Sequence, residues 1–229
     1  RSFGRFINPE VARRAMAGEL RLGGELRTVT ALVGDMRDFT PLAEHVTPAE
    51  AVKILNEYFS GVVRILLKHG GNLDKFVGDG FMAVFGAPLD QPDHAARALA
   101  AGVEMVSFFA HLNARHPLTG ESLRVGLAAH SGTVLAGTIG SADRMEYTCI
   151  GDAINTVWRI EGLNHTLGTS FLISESAYRQ AGAGVRVVPR GAFVLRGKAH
   201  PADIYEVLGP ASGEEVISPG AEEMAPVKP

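Results

Sequence analysis

The chain has 229 residues, of which 46% are hydrophobic and 21% are charged, as in a globular protein with a full hydrophobic core. The net charge of −3 argues against nucleic acid as a partner, and the single Cys149 excludes an internal disulfide and a cysteine metal cluster. There is no signal peptide and no unbroken apolar run of about 18 residues, so we expect a cytoplasmic domain. Because the chain opens without Met, we expect a longer protein with an upstream regulatory domain, and a membrane tether in that upstream part stays open.

The elements are predicted from hydrophobic periodicity and from capping and turn residues. Thr47, with Glu50 three residues later and Pro48 in the first turn, marks a helix start. In chain order we predict a linker with a short helix (1–24), a strand (26–36), a helix (47–69), a hairpin (73–86), a helix (93–115), a second hairpin (123–140), a helix (151–164), a strand (170–174), a short helix (176–181), closing strands (185–208) and a disordered tail (210–229). Residues 25–209 form one predicted domain of the α+β class, a mostly antiparallel sheet with helices on one face.

The two hairpins are the most specific local predictions. Residues 73–86, LDKFVGDGFMAVFG, indicate two strands that are both apolar enough to be buried. Residues 123–140 indicate a second hairpin that turns around Ser131 and Gly132.

Two carboxylates are candidate metal ligands. Asp35 ends a buried strand, and Asp79 lies at the tip of the first hairpin. If the sheet brings them together, they supply the hard oxygen ligands that Mg²⁺ prefers, with phosphates and water completing the coordination. Taken singly, each has a plainer explanation, Asp79 as a turn residue and Asp35 as a cap for the next segment.

Other polar residues are candidates for phosphate and sugar contacts. Thr40 before Pro41 indicates a helix start next to Asp35, where free N–H groups would face a triphosphate. Asn155 and Arg159 lie four residues apart on one helix face, where an amide and a guanidinium could bind a sugar oxygen and a phosphate. Lys198 is either a phosphate contact or a turn lysine, and the other features could equally be a cap and a solvated helix face. None of the eight histidines has metal-ligand spacing, so we assign no zinc.

Six segments in register resemble the class III nucleotidyl cyclase catalytic domain, over about residues 3–208. They read FGRFINPEVA, VTALVGDMRDFT, LDKFVGDGFMAVFGAP, RVGLAAHSGTVLAGTIGS, YTCIGDAINTVWRIEGLN and VLRGKAHPADIYEV, and Asp79 follows Asp35 by 44 positions. The resemblance implies a ferredoxin-like, palm-type sheet and a head-to-tail homodimer with two active sites between the protomers.

The resemblance also implies roles for individual residues. Two Mg²⁺ or Mn²⁺ ions would be held by Asp35 and Asp79 on one protomer, beside substrate contacts at Phe39 and Thr40. The partner protomer would supply Lys75 and Thr148 to the purine, Asn155 to the ribose, Arg159 to the α-phosphate and Lys198 to the terminal phosphates.

The choice of purine depends on Lys75 and Thr148. A lysine can donate to the N1 acceptor of adenine but not to the N1–H of guanine, and guanylate cyclases of the family usually have an acid at this position. Thr148 resembles the branch that includes bicarbonate-responsive enzymes, which makes bicarbonate a candidate activator. The family commonly has Gly where Asp38 stands, and Arg in some members where Thr133 stands, so we expect lowered or regulated activity.

The sequence therefore predicts an adenylate cyclase that converts ATP to 3′,5′-cyclic AMP and pyrophosphate, in signal transduction. The alternatives are a guanylate cyclase, and a catalytically silent cyclase-like module that binds nucleotide and dimerises. A diguanylate cyclase is disfavoured because its Gly-Gly-acid-acid-Phe hairpin is replaced here by VGDG at 77–80.

Overall fold

The computed structural model describes Arg13, Ala17 and residues 22–37, 39–115, 124–141 and 145–212, without the side chains of 40–42, 114 and 115. Asp38, most of the predicted linker at 1–24 and most of the predicted tail at 210–229 therefore lie outside the described residues. The elements are, in chain order, β1 (Gly23–Arg37), α1 (Phe39–His45), α2 (Pro48–His69), β2 (Asn72–Val77), β3 (Gly80–Phe85), α3 (His94–Arg115), β4 (Arg124–Gly140), β5 (Met145–Ile150), α4 (Asp152–Leu167), β6 (Phe171–Ser174), α5 (Glu175–Ala181), β7 (Val185–Phe193) and β8 (Ala202–Pro210).

The strands form one mixed sheet, so the predicted α+β class is confirmed. Its order is β2-β3-β1-β4-β6-β8-β7, with β5 paired to the C-terminal half of β4. All pairings between these strands are antiparallel except β4 with β6, which are parallel. The long pair β1–β4 lies at the centre of the sheet. The neighbouring strands end beside it, so side chains from distant parts of the sequence can meet there.

The predicted second hairpin at 123–140 is wrong, because this stretch is the single strand β4. Pairing with β1 continues without a turn from Arg124 to Thr138. Ser131 is buried, and its Oγ lies 2.6 Å from Oγ1 of Thr30 on β1. Gly132 is needed for helix packing instead of a turn, since a Cβ at this position would lie 2.9 Å from Cβ of Ala153 on α4.

The helices pack on both faces of the sheet, so the prediction of helices on one face is wrong. Leu32 of β1 packs into the main core together with α2, α3 and α5. The neighbouring Ala31 and Val33 point to the opposite face. There they pack against Val157 and Ile160 of α4.

The predicted buried first hairpin is half correct. Every residue of β3 is buried, whereas the second half of β2 is exposed, including Phe76 and Val77. The reason is topological, because β2 is an edge strand with β3 as its sheet neighbour.

Helices α2 and α3 follow the local signals. Thr47 and Glu50 form the predicted capping box, and Gly70 ends α2 in a left-handed conformation with φ of 74°. Against the expectation from sequence, one described helix, α3, has the length and apolar composition of a membrane span within 94–113. Of its most apolar window, 61% is buried inside the fold, which is the behaviour of a core helix.

Candidate active site

Asp35 and Asp79 lie close enough for their charges to interact. Asp35 is on the α4-facing side of β1, opposite the start of β3, and Asp79 precedes β3 in the turn from β2. Burial raises the pKa of Asp35, and the charge of Asp79 raises it further. Two carboxylates that repel each other in a partly buried corner are stabilised by a divalent cation.

The space in front of Asp35 depends on Gly80. A Cβ at Gly80 would lie 2.9 Å from Oδ1 of Asp35 and 2.8 Å from the carbonyl oxygen of Gly34. The absent side chain therefore leaves the Asp35 carboxylate accessible from the β3 side. The space beside Gly80 and the carboxylate oxygens of Asp35 and Asp79 fit a magnesium or manganese ion.

Glu161 of α4 is a third acid near this corner, and it was missed by sequence reasoning. Its Oε1 and the guanidinium of Arg37 converge over Gly126, where a Cβ would clash with both side chains. Burial and then the charge of Asp35 raise the pKa of Glu161 to about 7, while Arg37 opposes the rise. A signal existed in the sequence, since Glu161 is four residues after the buried Val157 and so lies beside the apolar stripe of α4.

Lys75 and Thr148, the predicted purine contacts, are brought together by Asp74. The Thr148 hydroxyl donates to Oδ2 of Asp74 at 2.6 Å, and the backbone N–H of Cys149 donates to the same oxygen at 3.4 Å. Nζ of Lys75 lies 3.7 Å from Oδ1 of Asp74 and 3.8 Å from Oε2 of Glu146. Sequence reasoning missed Asp74, whose side chain is only 3% exposed although it belongs to an edge strand.

A third group forms along one face of α4. Asp152, Asn155 and Arg159 follow one another at helical spacing, and Asn155 is exposed. Lys198, in the loop between β7 and β8, donates a hydrogen bond to Oδ2 of Asp152, and this contact lowers the pKa of Asp152. The same loop passes close to the Arg159 guanidinium at Gly197, whose φ of 72° requires glycine.

The predicted triphosphate contacts follow β1 directly. Helix α1 begins at Phe39, two residues after the end of β1, as the Thr40–Pro41 signal indicated. The Phe39 side chain packs against the main core, so a contact from this residue to substrate would be made by its backbone. The Thr40 side chain is outside the described part of the chain. The exposed Thr133 of β4 has its carbonyl oxygen next to Gly151, at the start of α4.

The seven predicted side chains outside α1 thus fall into three groups within one protomer. These are the carboxylate pair, the purine pair around Asp74, and the α4 group with Lys198. In the described part of the chain, no hydrogen bond or ion pair joins the carboxylate pair to either of the other groups.

An exposed apolar row crosses three neighbouring strands. Leu26 of β1 pairs with Leu135 of β4, which in turn pairs with Ile150 of β5, so the three side chains share one face. They are 76%, 39% and 53% exposed, respectively. A row of this kind is typical of a surface that another protein covers.

Comparison with known proteins identifies the family. Residues 24–209 match the model of the adenylate and guanylate cyclase catalytic domain. The chain is 31% identical over 212 residues to adenylate cyclase 1 of Rhizobium meliloti (strain 1021), covering 91% of this chain and 32% of that protein. It therefore spans about a third of the length of this curated relative.

Two solved structures are similar in both sequence and fold. The guanylyl cyclase Cya2 superimposes with a TM-score of 0.75 at 36% identity, covering 82% of this chain and 95% of that one. The adenylyl cyclase CyaB from P. aeruginosa gives a TM-score of 0.75 at 28% identity, covering 87% of this chain and 100% of that one. Enzymes named for both purines are thus among the relatives. The chain belongs to the adenylate and guanylate cyclase catalytic domain family, the class III nucleotidyl cyclases.

Proposed function

We propose that residues 25–209 are the catalytic domain of an adenylate cyclase, which converts ATP to 3′,5′-cyclic AMP and pyrophosphate. The observation that carries the choice of ATP is the purine group, in which Lys75 and Thr148 lie on either side of the Asp74 carboxylate. A lysine ammonium has only donors, and it therefore complements the N1 acceptor of adenine and opposes the N1–H of guanine.

The reaction is an intramolecular displacement at the α-phosphorus. The ribose 3′-oxygen forms the new bond to phosphorus, the bond to the bridging oxygen of pyrophosphate breaks, and the hydroxyl proton leaves to solvent. Asn155 orients the ribose, Arg159 stabilises the charge that develops on the α-phosphate, and Lys198 binds the terminal phosphates. Two magnesium or manganese ions held by Asp35 and Asp79 would supply Lewis-acid activation of the hydroxyl and neutralise phosphate charge.

The active sites are proposed to form between two copies of the chain arranged head to tail. Two observations support this proposal: among the described residues no hydrogen bond or ion pair joins the carboxylate pair to the other two groups, and a second copy would cover the apolar row of Leu26, Leu135 and Ile150. We also propose an upstream regulatory domain, a cytoplasmic location where ATP is available, and bicarbonate as a candidate activator.

The substrate is tested by measuring cyclic nucleotide formed by the purified protein from ATP and from GTP in parallel, with Mn²⁺ or Mg²⁺. The proposal expects cyclic AMP as the main product, with specific activity rising with protein concentration as protomers associate. A preference for GTP would make the domain a guanylate cyclase, an outcome favoured by its 36% identity to Cya2. Absence of both products under all conditions would support the silent module.

The shared site is tested by complementation. Asp35→Ala and Arg159→Ala proteins are each expected to lose turnover while remaining folded, and Asp79→Ala should behave like Asp35→Ala. In a 1:1 mixture of the first two, half of the dimers are mixed, and each mixed dimer has one intact site of two. The mixture should therefore recover about a quarter of wild-type activity, and the double variant with both substitutions in one chain should recover none. If the mixture stays inactive, the shared site is wrong.

A further inference from the structure

Asp74 is a buried carboxylate at the centre of the purine group, and the proposed mechanism gives it no role. Among the described residues, each group that reaches it is a donor: the Thr148 hydroxyl at 2.6 Å, the Cys149 N–H at 3.4 Å and the Lys75 ammonium at 3.7 Å. Burial raises the pKa of Asp74, and these three donors oppose that rise without cancelling it. Such surroundings suit an ionised carboxylate, which can only accept hydrogen bonds.

This arrangement determines the direction of the Thr148 hydrogen bond. A threonine hydroxyl has one proton and two lone pairs, so a free hydroxyl can rotate to donate or accept according to its partner. Because the proton of Thr148 points to Oδ2 of Asp74, only lone pairs remain on the hydroxyl oxygen for any other partner. Thr148 is thereby converted from an ambivalent group into an acceptor.

We propose that Asp74 is a positioning residue that sets the purine preference by holding the Thr148 hydroxyl as an acceptor toward the base. The 6-amino group of adenine is a donor and matches this acceptor, whereas O6 of guanine is an acceptor and is opposed by it. The proposal rests on the proposed function, since it assumes that the base is read by Thr148. It adds a residue that selects the base without touching it.

Two substitutions of Asp74 separate this role from its ion pair with Lys75. Asp74→Ala removes the acceptor, so the Thr148 hydroxyl becomes free to donate to O6 of guanine. Asp74→Asn keeps one acceptor oxygen, and we expect this oxygen to face Thr148 and Cys149 because both are donors. The negative charge beside Lys75 is replaced by a neutral amide NH2 group. Asp74→Asn is therefore the matched control for charge, and Asp74→Ala is the test of hydroxyl orientation.

The measurement is the ratio of kcat/KM for ATP to that for GTP, together with the ratio of dissociation constants for 3′-deoxy-ATP and 3′-deoxy-GTP. The 3′-deoxy compounds lack the attacking hydroxyl and therefore report binding without turnover. Asp74→Ala is expected to lower both ratios about three- to tenfold, the value of one net hydrogen bond, while Asp74→Asn keeps them within about twofold of wild type. Thr148→Ser, which retains a hydroxyl, should also keep them.

The decisive arm is a double-mutant cycle with Thr148→Val, which has no hydroxyl. In that background Asp74→Ala should change the ratios by less than about twofold, because the group through which it acts is gone. An equal change in both backgrounds, or no change from Asp74→Ala in the wild-type background, would overturn the proposal. If circular dichroism shows that the alanine variant is unfolded, Asp74→Ser replaces it, because the serine side chain is too short for its oxygen to reach Thr148.

Failure of the inference can be told apart from failure of the proposed function. A protein that binds neither nucleotide refutes both. A protein that prefers GTP refutes the choice of substrate, and yet the cycle still reports whether Asp74 and Thr148 act as a unit on the ratio. A protein that prefers ATP with a ratio unaffected by Asp74→Ala refutes the inference alone.

Discussion

His130 of β4 connects the electrostatics of the α4 group to the stability of the fold. Its Nδ1 lies 2.8 Å from Oγ of Ser174 and 3.3 Å from Oγ of Ser176, and the charges of Lys198 and Asp152 act on its ring. Burial, with help from the positive charge of Lys198, lowers the pKa of His130 to about 4, against the opposing effect of Asp152. The histidine is therefore neutral in the folded protein at neutral pH.

The sign and size of the pH effect follow from linkage. Because the pKa of His130 is lower in the folded state than the unfolded value of 6.5, the unfolded state binds more protons between the two values. The stability that neutral His130 supports is present above pH 6.5 and is lost as the pH falls from 6.5 toward 4. Between pH 7 and pH 5 this one residue should cost about 2 kcal/mol of the free energy of unfolding.

The perturbation is His130→Asn, which keeps a hydrogen-bonding amide near Ser174 but cannot titrate. Between pH 7 and pH 5 the urea midpoint of unfolding should fall by about 1 M more in the wild type than in the variant. This value assumes that the free energy of unfolding decreases by about 2 kcal/mol per molar urea. The remaining histidines and carboxylates titrate in both proteins, so the difference between the two pH shifts isolates His130. Equal shifts in both proteins would refute the depressed pKa, whatever the absolute stability of the variant at pH 7.

Two further predictions concern Tyr58 and Gly80. Tyr58 is 1% exposed, and its hydroxyl has no hydrogen-bond partner among the described residues. Tyr58→Phe should therefore raise the free energy of unfolding, measured in thermal or urea melts, by up to about 1 kcal/mol. A decrease of similar size would show that the hydroxyl has a partner. Gly80→Ala should lower turnover at least about tenfold, because its Cβ would meet Oδ1 of Asp35 at 2.9 Å and displace a carboxylate to which the proposed mechanism assigns the metal ions. The control is Gly162→Ala on α4, where nothing lies within 4 Å of the new Cβ. This variant should keep its turnover, and its free energy of unfolding should rise by about 1 kcal/mol. Equal turnover in the two variants would show that the space beside Asp35 is not needed.

Local signals in the sequence predicted local structure well. The capping box at Thr47 and Glu50 and the left-handed Gly70 are properties of a few neighbouring residues, and α2 begins and ends where they indicate. The turn predicted at Ser131–Gly132 is wrong because a Ser-Gly pair favours a turn locally, and tertiary contacts override that preference here. Only the partners distinguish the two, here Thr30 across the sheet and α4 above it.

The side of the sheet occupied by α4 could not be read from amphipathicity. The periodic apolar stripe of α4 predicts that one helix face is buried, but either face of β1 could receive it, since Ala31, Leu32 and Val33 are all apolar. Asp74 and Glu161 were missed for a related reason. Both are acids whose burial depends on elements far away in sequence, β5 for Asp74 and β1 for Glu161, and local composition describes them as surface residues.

The contacts of the three polar groups bear on how nucleotide binding would act on the protein. Lys198 is paired with Asp152, and Lys75 lies between Asp74 and Glu146, so two cations assigned to ATP have carboxylate partners in the free protein. At Asp35, in contrast, burial and then the nearby charge of Asp79 raise the pKa of the carboxyl group. In the proposed mechanism a metal–triphosphate complex would reverse this balance, because it would relieve the repulsion at Asp35 and compete with Asp152 for Lys198. In the proposed head-to-tail dimer the carboxylate pair of one copy would face the α4 group of the other, so we expect nucleotide binding to favour association of the chains.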